Sequence, residues 1–581
     1  MMPNPVREYR WTFRNETSLE KTAAVKKLSD QLTISPILTE ILINRGIDTF
    51  DKARSYFRPD IADLPDPFLM DGMQTAVDRI EQGIRRNESI TVYGDYDVDG
   101  TNGAALLWSF LKSAGANVRY YVPDRIKEGY GISNVGLDRA KEAGCTLLVS
   151  VDCGITAVKQ VDYAKSIGIE VIICDHHEPG DPLPKAVAVL DPLKPNCKYP
   201  FKFLCGCGVG FKLAQALSSN DFIRAKFEGS VEDRLKDYLQ YVALATIADI
   251  VLLSGENRTM VKLGLEMINS NPLPGIRALI ATAGLTPGRI NAGQVVFILA
   301  PRINAVGRLG DAMRAVDLLT STDFNKAVGL AQVMEEENLN RRRIDEETFL
   351  QAQVVFQQNE NFDSERAIIL HQGSWHPGVI GIVASRMVER YYLPTIMMTT
   401  VDGVAKGSAR SVAGFDIYQA LKRCEDKLIQ FGGHKYAAGL TVGLDKLEEF
   451  KTAFHKVAKE LLTDNLRTPE IKIDAEINLQ ELVPKFVRVL GQFGPFGPDN
   501  MRPVFIARGA EITGQPRIVG HNHLKFRMKS NGRVFDAIGF NLGALMSKVA
   551  NGGKTVDVAF SIDEGEFAGE AVPQLKIRDV K

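Results

Sequence analysis

The sequence predicts an α/β protein in which a parallel-sheet domain, a connecting helix, a smaller α/β domain and a C-terminal β-barrel follow one another. Between about residues 76 and 190, short apolar β-branched runs alternate with helical segments, which is the pattern of βαβ units, and helical patterns fill most of 208–340. Residues 334–348 are polar nearly all round, as in a helix that bridges two domains through solvent. The last part of the chain reads as strands separated by glycine-marked turns.

A chain of 581 residues has room for about three to five domains. Five parts are predicted: an N-terminal mixed segment (1–75), the parallel-sheet domain (76–325), the connecting helix (326–360), the smaller α/β domain (361–465) and the β-rich domain (466–581).

Net charge, cysteine number and the lack of long apolar stretches limit the classes to which the protein can belong. The net charge is −1, so any affinity for nucleic acid must come from a local basic surface. Seven cysteines, an odd number thinly spread, argue against a disulfide framework and favour a reducing compartment. The sequence shows neither a signal-peptide pattern nor a long uncharged apolar stretch, so we expect a cytoplasmic protein without a membrane span.

The elements of the first domain can be placed in order. Helices are predicted over Gly100–Ala114 and Ile155–Ile167, each followed by a glycine. Strand-like runs occupy Ser89–Tyr93, Asn117–Val122, Thr146–Val151, Glu170–Cys174 and Ala186–Leu190. In the smaller domain, Ala367–Leu370 and Pro394–Met398 are predicted strands.

Acidic and histidine residues follow three of these strands. Asp95, Asp97 and Asp99 come after the first, Asp152 after the third, and the run Asp175–His177 after the fourth. The carboxyl ends of parallel strands meet at one edge of a sheet, where ligands collect. Carboxylate and imidazole groups together suit Mn²⁺, Mg²⁺, Zn²⁺ or Fe²⁺. We therefore predict a two-metal phosphoesterase centre at this edge.

The first acidic run has two other interpretations. D-x-D-x-D-G matches the start of a calcium EF-hand loop, but Leu106 stands where that loop needs a glutamate, and a strand precedes it instead of a helix. The second is a solvated acidic turn, which would be credible only if the cluster stood alone. Two other predicted strands are also followed by acidic or histidine residues, so the cluster does not stand alone.

The sequence resembles the DHH phosphoesterase superfamily and, within it, the RecJ family of single-strand-specific exonucleases that degrade DNA from the 5′ end. The segments that carry the resemblance run in family order: Tyr93–Leu107 (YGDYDVDGTNGAALL), Val151–Ile155 (VDCGI), Cys174–His177 (CDHH), Ile247–Val251 (IADIV), Pro301–Arg308 (PRINAVGR), Trp375–Arg386 (WHPGVIGIVASR), Gly407–Ser411 (GSARS) and Phe431–Gly439 (FGGHKYAAG). The triplet alone is a weak signal, whereas the ordered set is highly specific.

The resemblance implies roles for the strand-end residues. Two divalent ions, Mn²⁺ or Mg²⁺, would be held by Asp97, Asp99, Asp152, His176 and Asp249, with Asp152 bridging. Asp95 and Asp175 would orient these ligands, and His177 would contact the scissile phosphate or assist the leaving oxygen. Tyr93 stands where phosphatase branches of the superfamily have a histidine, which favours the nuclease branch and leaves coordination of the first metal open.

A second group of residues is predicted to bind phosphate or DNA. Gly432, Gly433 and His434 would belong to a DHHA1-type domain, and Ser408 with Arg410 offers a hydroxyl beside a guanidinium. Further candidates are Arg125, Arg302, Asn304, Arg308, His376 and Arg386. For each of these an ordinary salt bridge is an equally good interpretation.

The C-terminal region contains one informative strand, from His523 to Lys529, with apolar residues on one face and Lys525 and Arg527 on the other. This pattern suits an OB-like barrel with a basic surface for single-stranded nucleic acid. An ordinary solvated sheet face is the alternative. Phe493 and Phe496 are expected in the barrel core, with base stacking as their alternative role.

The predicted metal centre together with the resemblance implies a single-stranded-DNA-specific 5′→3′ exonuclease that releases 5′-mononucleotides and acts in recombination and repair. One alternative is a DHH phosphodiesterase for short RNA or cyclic dinucleotides, although such proteins typically lack the β-rich domain. Another is a non-catalytic replication scaffold, which would be expected to lose the acidic ligands. We expect a monomer whose partners are single-stranded DNA, a helicase and a single-strand-binding protein. The helicase is expected because the sequence has no Walker A motif, so another protein must supply the single strand.

Overall fold

The computed structural model describes residues 8–14, 18–125, 127–309, 311–358, 365–530, 532–551, 555–567 and 570–581. The chain packs into two compact units. The parallel-sheet unit consists of Arg45–Asn338 and Gln492–Arg502, and the composite unit consists of Met1–Asn44, Leu339–Gly491 and Pro503–Lys581.

The strands, in chain order, are β1 (Arg10–Phe13), β2 (Ser89–Gly94), β3 (Asn117–Tyr121), β4 (Leu147–Val151), β5 (Glu170–Cys174), β6 (Ala188–Leu190), β7 (Ile368–His371), β8 (Thr395–Val401), β9 (Val404–Arg410), β10 (Gln430–His434), β11 (Ala437–Gly443), β12 (Glu470–Ile473), β13 (Ala475–Glu476), β14 (Phe505–Val519), β15 (His523–Ser530), β16 (Arg533–Gly539), β17 (Thr555–Phe567) and β18 (Glu570–Val580).

The α-helices are α1 (Leu19–Leu32), α2 (Pro36–Asn44), α3 (Phe50–Phe57), α4 (Met73–Arg85), α5 (Val98–Ser113), α6 (Asn134–Glu142), α7 (Val158–Ser166), α8 (Gly206–Ser218), α9 (Asp221–Arg224), α10 (Val231–Ala248), α11 (Gly255–Ser270), α12 (Pro274–Thr282), α13 (Ala292–Gln294), α14 (Ala300–Leu309), α15 (Met313–Leu319), α16 (Phe324–Gln357), α17 (Ile380–Tyr391), α18 (Ile417–Lys422), α19 (Leu447–Leu461), α20 (Asp464–Arg467), α21 (Pro484–Gly491) and α22 (Met546–Asn551). A π-helical turn at Val295–Leu299 precedes α14.

The parallel-sheet unit is built on five strands in the order β3-β2-β4-β5-β6, and every neighbouring pair is parallel. Alternate residues of these strands enter two separate cores: Val149 packs with α5, α8 and α10, whereas Leu148 packs with α6 and α7. Both faces are covered, which explains why the inner strands β2, β4 and β5 are buried along almost their whole length. The predicted parallel sheet is confirmed.

A single helix, α16, connects the two α/β parts and covers the predicted polar stretch 334–348. Its final turns contribute Phe349, Ala352 and Phe356 to the core of the smaller α/β domain. That domain has a five-stranded sheet in the order β10-β11-β9-β8-β7, in which only β7 and β8 are parallel among the described strands.

The C-terminal strands form a barrel in the order β14-β15-β16-β18-β17, closed by pairing of β14 with β17. In β15 the apolar residues Leu524, Phe526 and Met528 are buried and alternate with the basic ones. The predicted OB-like barrel is confirmed. The N-terminal strand β1 pairs with β12 of the same unit.

Phe493 and Phe496 are an exception to the predicted barrel core. Both lie in Gln492–Arg502, which packs with the parallel-sheet unit. The Phe493 ring contacts Tyr56 and Phe57 edge-on, with centroids 5.9 and 5.6 Å apart. The expectation that these residues fill the barrel was therefore wrong, because the partners of Phe493 come from a helix more than 400 residues earlier in the chain.

Among the described helices none is long and apolar enough to cross a membrane. All seven cysteines are free and buried, which agrees with the absence of a disulfide framework predicted from their number.

Candidate metal centre

The first acidic run turns directly from β2 into α5. Asp97 is the N-cap of α5, and its Oδ1 accepts hydrogen bonds from the backbone N–H groups of Asp99 (2.9 Å) and Gly100 (3.1 Å). Such a cap satisfies amides that otherwise lack partners at a helix start. The cap holds Asp97 and Asp99 at the carboxyl edge of the sheet.

Asp99 is positioned by a second helix. Its two carboxylate oxygens accept hydrogen bonds from Gly206 N (2.7 Å) and Cys207 N (2.8 Å) at the start of α8. Helix N-termini attract negative charge, so α8 stabilises the ionised carboxylate. A Cβ on Gly206 would lie 2.5 Å from Cβ of Asp152, and glycine is therefore required where α8 approaches β4.

His176 lies among three carboxylates that come from three different elements. Its Nε2 is 3.2 Å from Oδ1 of Asp152, 3.7 Å from Oδ2 of Asp99 and 3.7 Å from Oδ2 of Asp249. Asp152 follows β4 in a left-handed conformation, with φ of 63°. The three strand ends thus converge as the sequence predicts.

Asp175 is fully engaged by its surroundings. Its Oδ2 accepts from Ile155 N (2.9 Å), while Oδ1 lies 2.7 Å from His177 Nδ1 and accepts from His176 N at 2.8 Å. A buried carboxylate that holds two histidine residues in place fits the supporting role predicted for Asp175.

Asp249 reaches the cluster from the C-terminal end of α10, where it is the residue that caps the helix. Because it follows a helix and no strand, strand-end reasoning could not select it, and only the family pattern did. Its proximity to His176 is the geometric support for including it.

The carboxyl groups of the cluster repel one another in the absence of a cation. Burial, followed by the charges of neighbouring aspartates, raises the pKa values of Asp95, Asp152 and Asp249 well above the ordinary range. Burial likewise raises the pKa of Asp99. Such a concentration of disfavoured negative charge is what a bound cation relieves.

The two histidines are shifted in opposite directions. Burial lowers the pKa of His176, which favours the neutral imidazole that can bind a metal. Desolvation acts in the same sense on His177, but the hydrogen bond and the charge of Asp175 outweigh it and raise the pKa of His177 to about 9. At neutral pH His177 is therefore the proton-bearing member of the pair.

The described residues contain two separate triads whose ligand atoms lie within 4.8 Å of one another, Asp95–Asp97–Asp152 and Asp99–His176–Asp249. Asp152 also groups with His176 and His177, so it stands next to both. In addition, Oδ1 of Asp95 is buried and has no hydrogen-bond partner. These residues fit two hard divalent cations, and Asp95 belongs to the same triad as Asp97.

Tyr130 belongs to the same site and was not selected from the sequence. Its hydroxyl donates to the carbonyl of Asp152 (3.0 Å) and lies 3.3 Å from the ring nitrogens of His177. It stands between Gly129 and Gly131, both left-handed. A tyrosine in a Gly-Tyr-Gly turn is a weak signal without the fold, since nothing in the sequence shows which strand end the turn approaches.

Tyr93, at the position of the histidine found in phosphatase branches, is buried in the sheet. Its hydroxyl donates to the carbonyl of Gly131 at 3.2 Å. It therefore anchors the turn that carries Tyr130.

The predicted phosphate ligands of the parallel-sheet unit have local partners. The guanidinium of Arg125 lies over the Tyr96 ring at 5.0 Å, and Arg308 interacts electrostatically with the same tyrosine. Arg302 is buried and paired with Glu335. Asn304 Oδ1 accepts from Val98 N at 3.2 Å, so it supports the start of α5.

In the smaller α/β domain, Arg410 Nη1 donates to Ser408 Oγ at 2.9 Å, so these two residues form one polar group on β9. Gly432–His434 lie in β10, which β11 separates from β9, and the structure leaves space above Gly432. His376 Nδ1 accepts from Gly378 N at 3.0 Å.

Arg386 forms ion pairs with Asp345 and Glu346 at 3.2 and 2.7 Å. In the barrel, Arg527 pairs with Asp536 at 3.2 Å, and Lys525 lies on the same face of β15. For all of these residues, contact with phosphate or DNA remains a prediction.

Three family models match the chain: the DHH family N-terminal domain over residues 89–246, the DHHA1 domain over 364–460 and the RecJ OB domain over 473–579. Together with the strand-end cluster, these matches define a metal-dependent phosphoesterase of the DHH class.

Relatives that match nearly the whole chain identify the family within this class. The single-stranded-DNA-specific exonuclease RecJ of Bacillus subtilis is 37% identical over 560 residues, which are 96% of this chain and 69% of the relative. The RecJ of Salmonella typhimurium is 34% identical over 585 residues, covering 98% of this chain and all (100%) of the relative. The crystal structure of RecJ in complex with Mn²⁺ from Thermus thermophilus matches with a TM-score of 0.82 and 30% identity, over 99% of this chain and 80% of that one. The chain belongs to the RecJ family.

Proposed function

We propose that the protein is a metal-dependent exonuclease that hydrolyses single-stranded DNA from the 5′ end, releases 5′-mononucleotides and acts in DNA recombination and repair. The observation that carries the proposal is the convergence of His176 Nε2 with Asp99, Asp152 and Asp249. It occurs in a chain whose relatives bear the name single-stranded-DNA-specific exonuclease.

In this proposal Asp97, Asp99, Asp152, His176 and Asp249 would hold the two ions, with Asp152 shared between them, and Asp95 belongs to the same triad as Asp97 and Asp152. Two Mn²⁺ or Mg²⁺ ions bound there supply charge neutralisation of the scissile phosphate and activation of the attacking water. Support for this choice of metals comes from the Mn²⁺ and Mg²⁺ complexes of the Thermus RecJ.

The protein groups around the metal ligands have separate tasks. His177, whose ring is hydrogen-bonded to Asp175, would donate to a phosphate oxygen or to the leaving 3′ oxygen. Tyr130 and Asp175 hold its ring. Ser408 with Arg410, and the glycines and histidine of Gly432–His434, are proposed to bind backbone phosphates.

We further propose that the basic face of β15 binds the single strand and that the protein acts as a cytoplasmic monomer beside a helicase and a single-strand-binding protein. Free, buried cysteines support a reducing compartment. The dependence on a helicase follows from the lack of a Walker A motif, since a motor would need one to bind nucleotide phosphates.

A substrate panel tests the proposal. Purified protein with Mn²⁺ is incubated with 5′-labelled and 3′-labelled oligomers of single-stranded DNA, blunt duplex and RNA, and with a cyclic dinucleotide. We expect mononucleotides from single-stranded DNA, with the 5′ label released first, and loss of activity in Asp152→Ala. Equal digestion of the duplex, or an unchanged Asp152→Ala variant, would contradict the proposal. Cleavage of the cyclic dinucleotide alone would favour the phosphodiesterase alternative. Inactivity on all of the substrates would favour the non-catalytic scaffold.

A further inference from the structure

The chain segment between α21 and β14, Gln492–Arg502, has an unusual position. It lies inside the stretch matched by the RecJ OB domain, yet it packs with the parallel-sheet unit. We call this segment the strap. No residue of the strap is part of the metal centre described above, so its position requires a separate explanation.

The strap is held by a buried arginine and a buried aromatic ring. Arg258, which is 4% exposed, donates to the backbone carbonyls of Gln492, Phe493 and Gly494, with the shortest bond 2.9 Å long to Gly494. The same guanidinium lies 3.4 Å from the centroid of the Tyr56 ring. Phe493 is fully buried. A desolvated guanidinium of this kind is costly to leave unpaired, so the strap and Arg258 depend on each other.

Asn500 closes the strap on itself. Its Nδ2 donates to the carbonyls of Phe493 (2.9 Å) and Pro495 (2.7 Å), and its Oδ1 accepts from the Tyr56 hydroxyl at 2.9 Å. The residue is 2% exposed. A buried side chain with every hydrogen-bonding group satisfied specifies a single conformation of the loop.

The strap touches the chain directly behind Asp249. Pro498 O accepts a hydrogen bond from Leu253 N at 2.7 Å. A Cβ added to Gly497 would lie 2.5 Å from Cδ1 of Leu253, so the two segments are in close contact there. On the other side, Asn257 Nδ2 donates to the Leu252 carbonyl at 2.9 Å. The loop that follows Asp249 is therefore hydrogen-bonded to the strap on one side and to α11 on the other.

We propose that the strap positions Asp249 for metal binding and that Gly497, Pro498 and Asn500 are positioning residues for the centre. This inference rests on the proposed function, because it takes Asp249 as a ligand. Asp249 ends a helix, and the following Ile250 is left-handed with φ of 61°, so its carboxylate depends on how the loop behind it is held. Ligands must be placed to within about half an ångström to bind well.

Gly497→Ala is the sharpest probe because it adds a single methyl group against Leu253. Binding of Mn²⁺ is followed by electron paramagnetic resonance of the free ion, which requires no turnover. We expect one of two Mn²⁺ sites to weaken by on the order of tenfold, as for loss of an outer-shell partner, and the other to stay unchanged. Asn500→Ala, which opens the strap, is expected to weaken the same site.

The matched control is Met501→Ala, which truncates an exposed strap side chain and is expected to leave both Mn²⁺ isotherms unchanged. Asp249→Asn serves as the reference for loss of the ligand itself. If Gly497→Ala and Asn500→Ala lower the melting temperature but bind both ions normally while Asp249→Asn does not, the strap is only a structural tether and the inference is wrong. Normal binding by Asp249→Asn would overturn the ligand assignment as well. If Asn500→Ala fails to fold, Gly497→Ala decides by itself.

Discussion

At the scale of single residues, the centre depends on charges that oppose one another until a cation binds. His176 lies within 4 Å of carboxylates from a helix start, a strand end and a helix end. Backbone hydrogen bonds hold the Asp99 carboxylate, and Asp249 is fixed at the end of α10. Repulsion is thus built into the fold, which is typical of metal sites.

Tyr130 provides a residue-scale prediction. Tyr130→Phe removes a hydroxyl that contacts both the Asp152 carbonyl and His177, while the ring remains. We expect kcat on single-stranded DNA to fall by roughly tenfold, because the contact that positions the His177 ring is lost. Mn²⁺ binding should be unchanged. Steady-state kinetics and a Mn²⁺ titration measure the two quantities.

Tyr163→Phe is the control for that experiment, because it deletes a tyrosine hydroxyl that bonds Asp138 on the surface. It should match the wild type in both measurements. An unchanged kcat in Tyr130→Phe would remove Tyr130 from the set of residues that position His177.

At the scale of elements, β2, β4 and β5 were predictable because each is a short, largely apolar run. Glu170–Cys174 has the predicted bounds, and the run that starts at Asn117 differs from β3 by one residue. The same regularity located Asp152 and Asp175, since each directly follows a buried strand. Tyr130 and the strap were missed because their partners depend on how distant segments meet: Tyr56 and Phe493 are 437 residues apart.

The predicted phosphate ligands show a second limit of sequence reasoning. Arg302 and Arg386 occur in family motifs, but each guanidinium already pairs with acidic residues of its own unit. The alternation of apolar and polar residues in β15 predicted correctly which side chains are buried, because burial of the apolar face is determined within the strand.

The basic face of β15 supports an element-scale prediction. Replacing Lys525 and Arg527 together by alanine should weaken binding of single-stranded DNA and reduce the slope of log K against log salt by roughly 1.4, because two phosphate contacts are lost. The ion pair of Arg527 with Asp536 is exposed and contributes little to stability, so the barrel should remain folded. Fluorescence anisotropy at several salt concentrations measures the effect.

Lys456→Ala together with Lys459→Ala, on α19 outside the barrel, forms a charge-matched control and should leave the salt dependence unchanged. An equal loss in both double variants would mean that the barrel face has no particular role in binding.

At the scale of the whole molecule, the centre couples stability to pH. The pKa values of Asp95, Asp99, Asp152 and Asp249 are raised above the ordinary value of 3.8, so protons favour the metal-free folded state. The stabilisation that the protonated carboxyl groups give to the metal-free folded state is complete below about pH 4. It is lost as the pH rises through their raised pKa values. His177 acts in the same direction, since its stabilising charge is lost as pH rises through about 9.

Bound Mn²⁺ replaces those protons, so the increase in melting temperature caused by Mn²⁺ should be larger at about pH 8 than at about pH 5.5. Differential scanning calorimetry with EDTA or Mn²⁺ at both pH values measures this. Asp152→Asn, which removes one of the repelling charges, should reduce the difference. A Mn²⁺ effect that is equal at both pH values, or larger at low pH, would contradict the electrostatic account.

Anomalous X-ray scattering from crystals soaked in Mn²⁺ can show whether the strand-end cluster of the parallel-sheet unit is a two-metal centre. We expect two anomalous peaks, one beside Asp97 and Asp152 and the other among Asp99, His176 and Asp249, with Asp152 next to both. Absence of Mn²⁺ from the cluster at saturating concentration, or a single ion remote from His176, would contradict it.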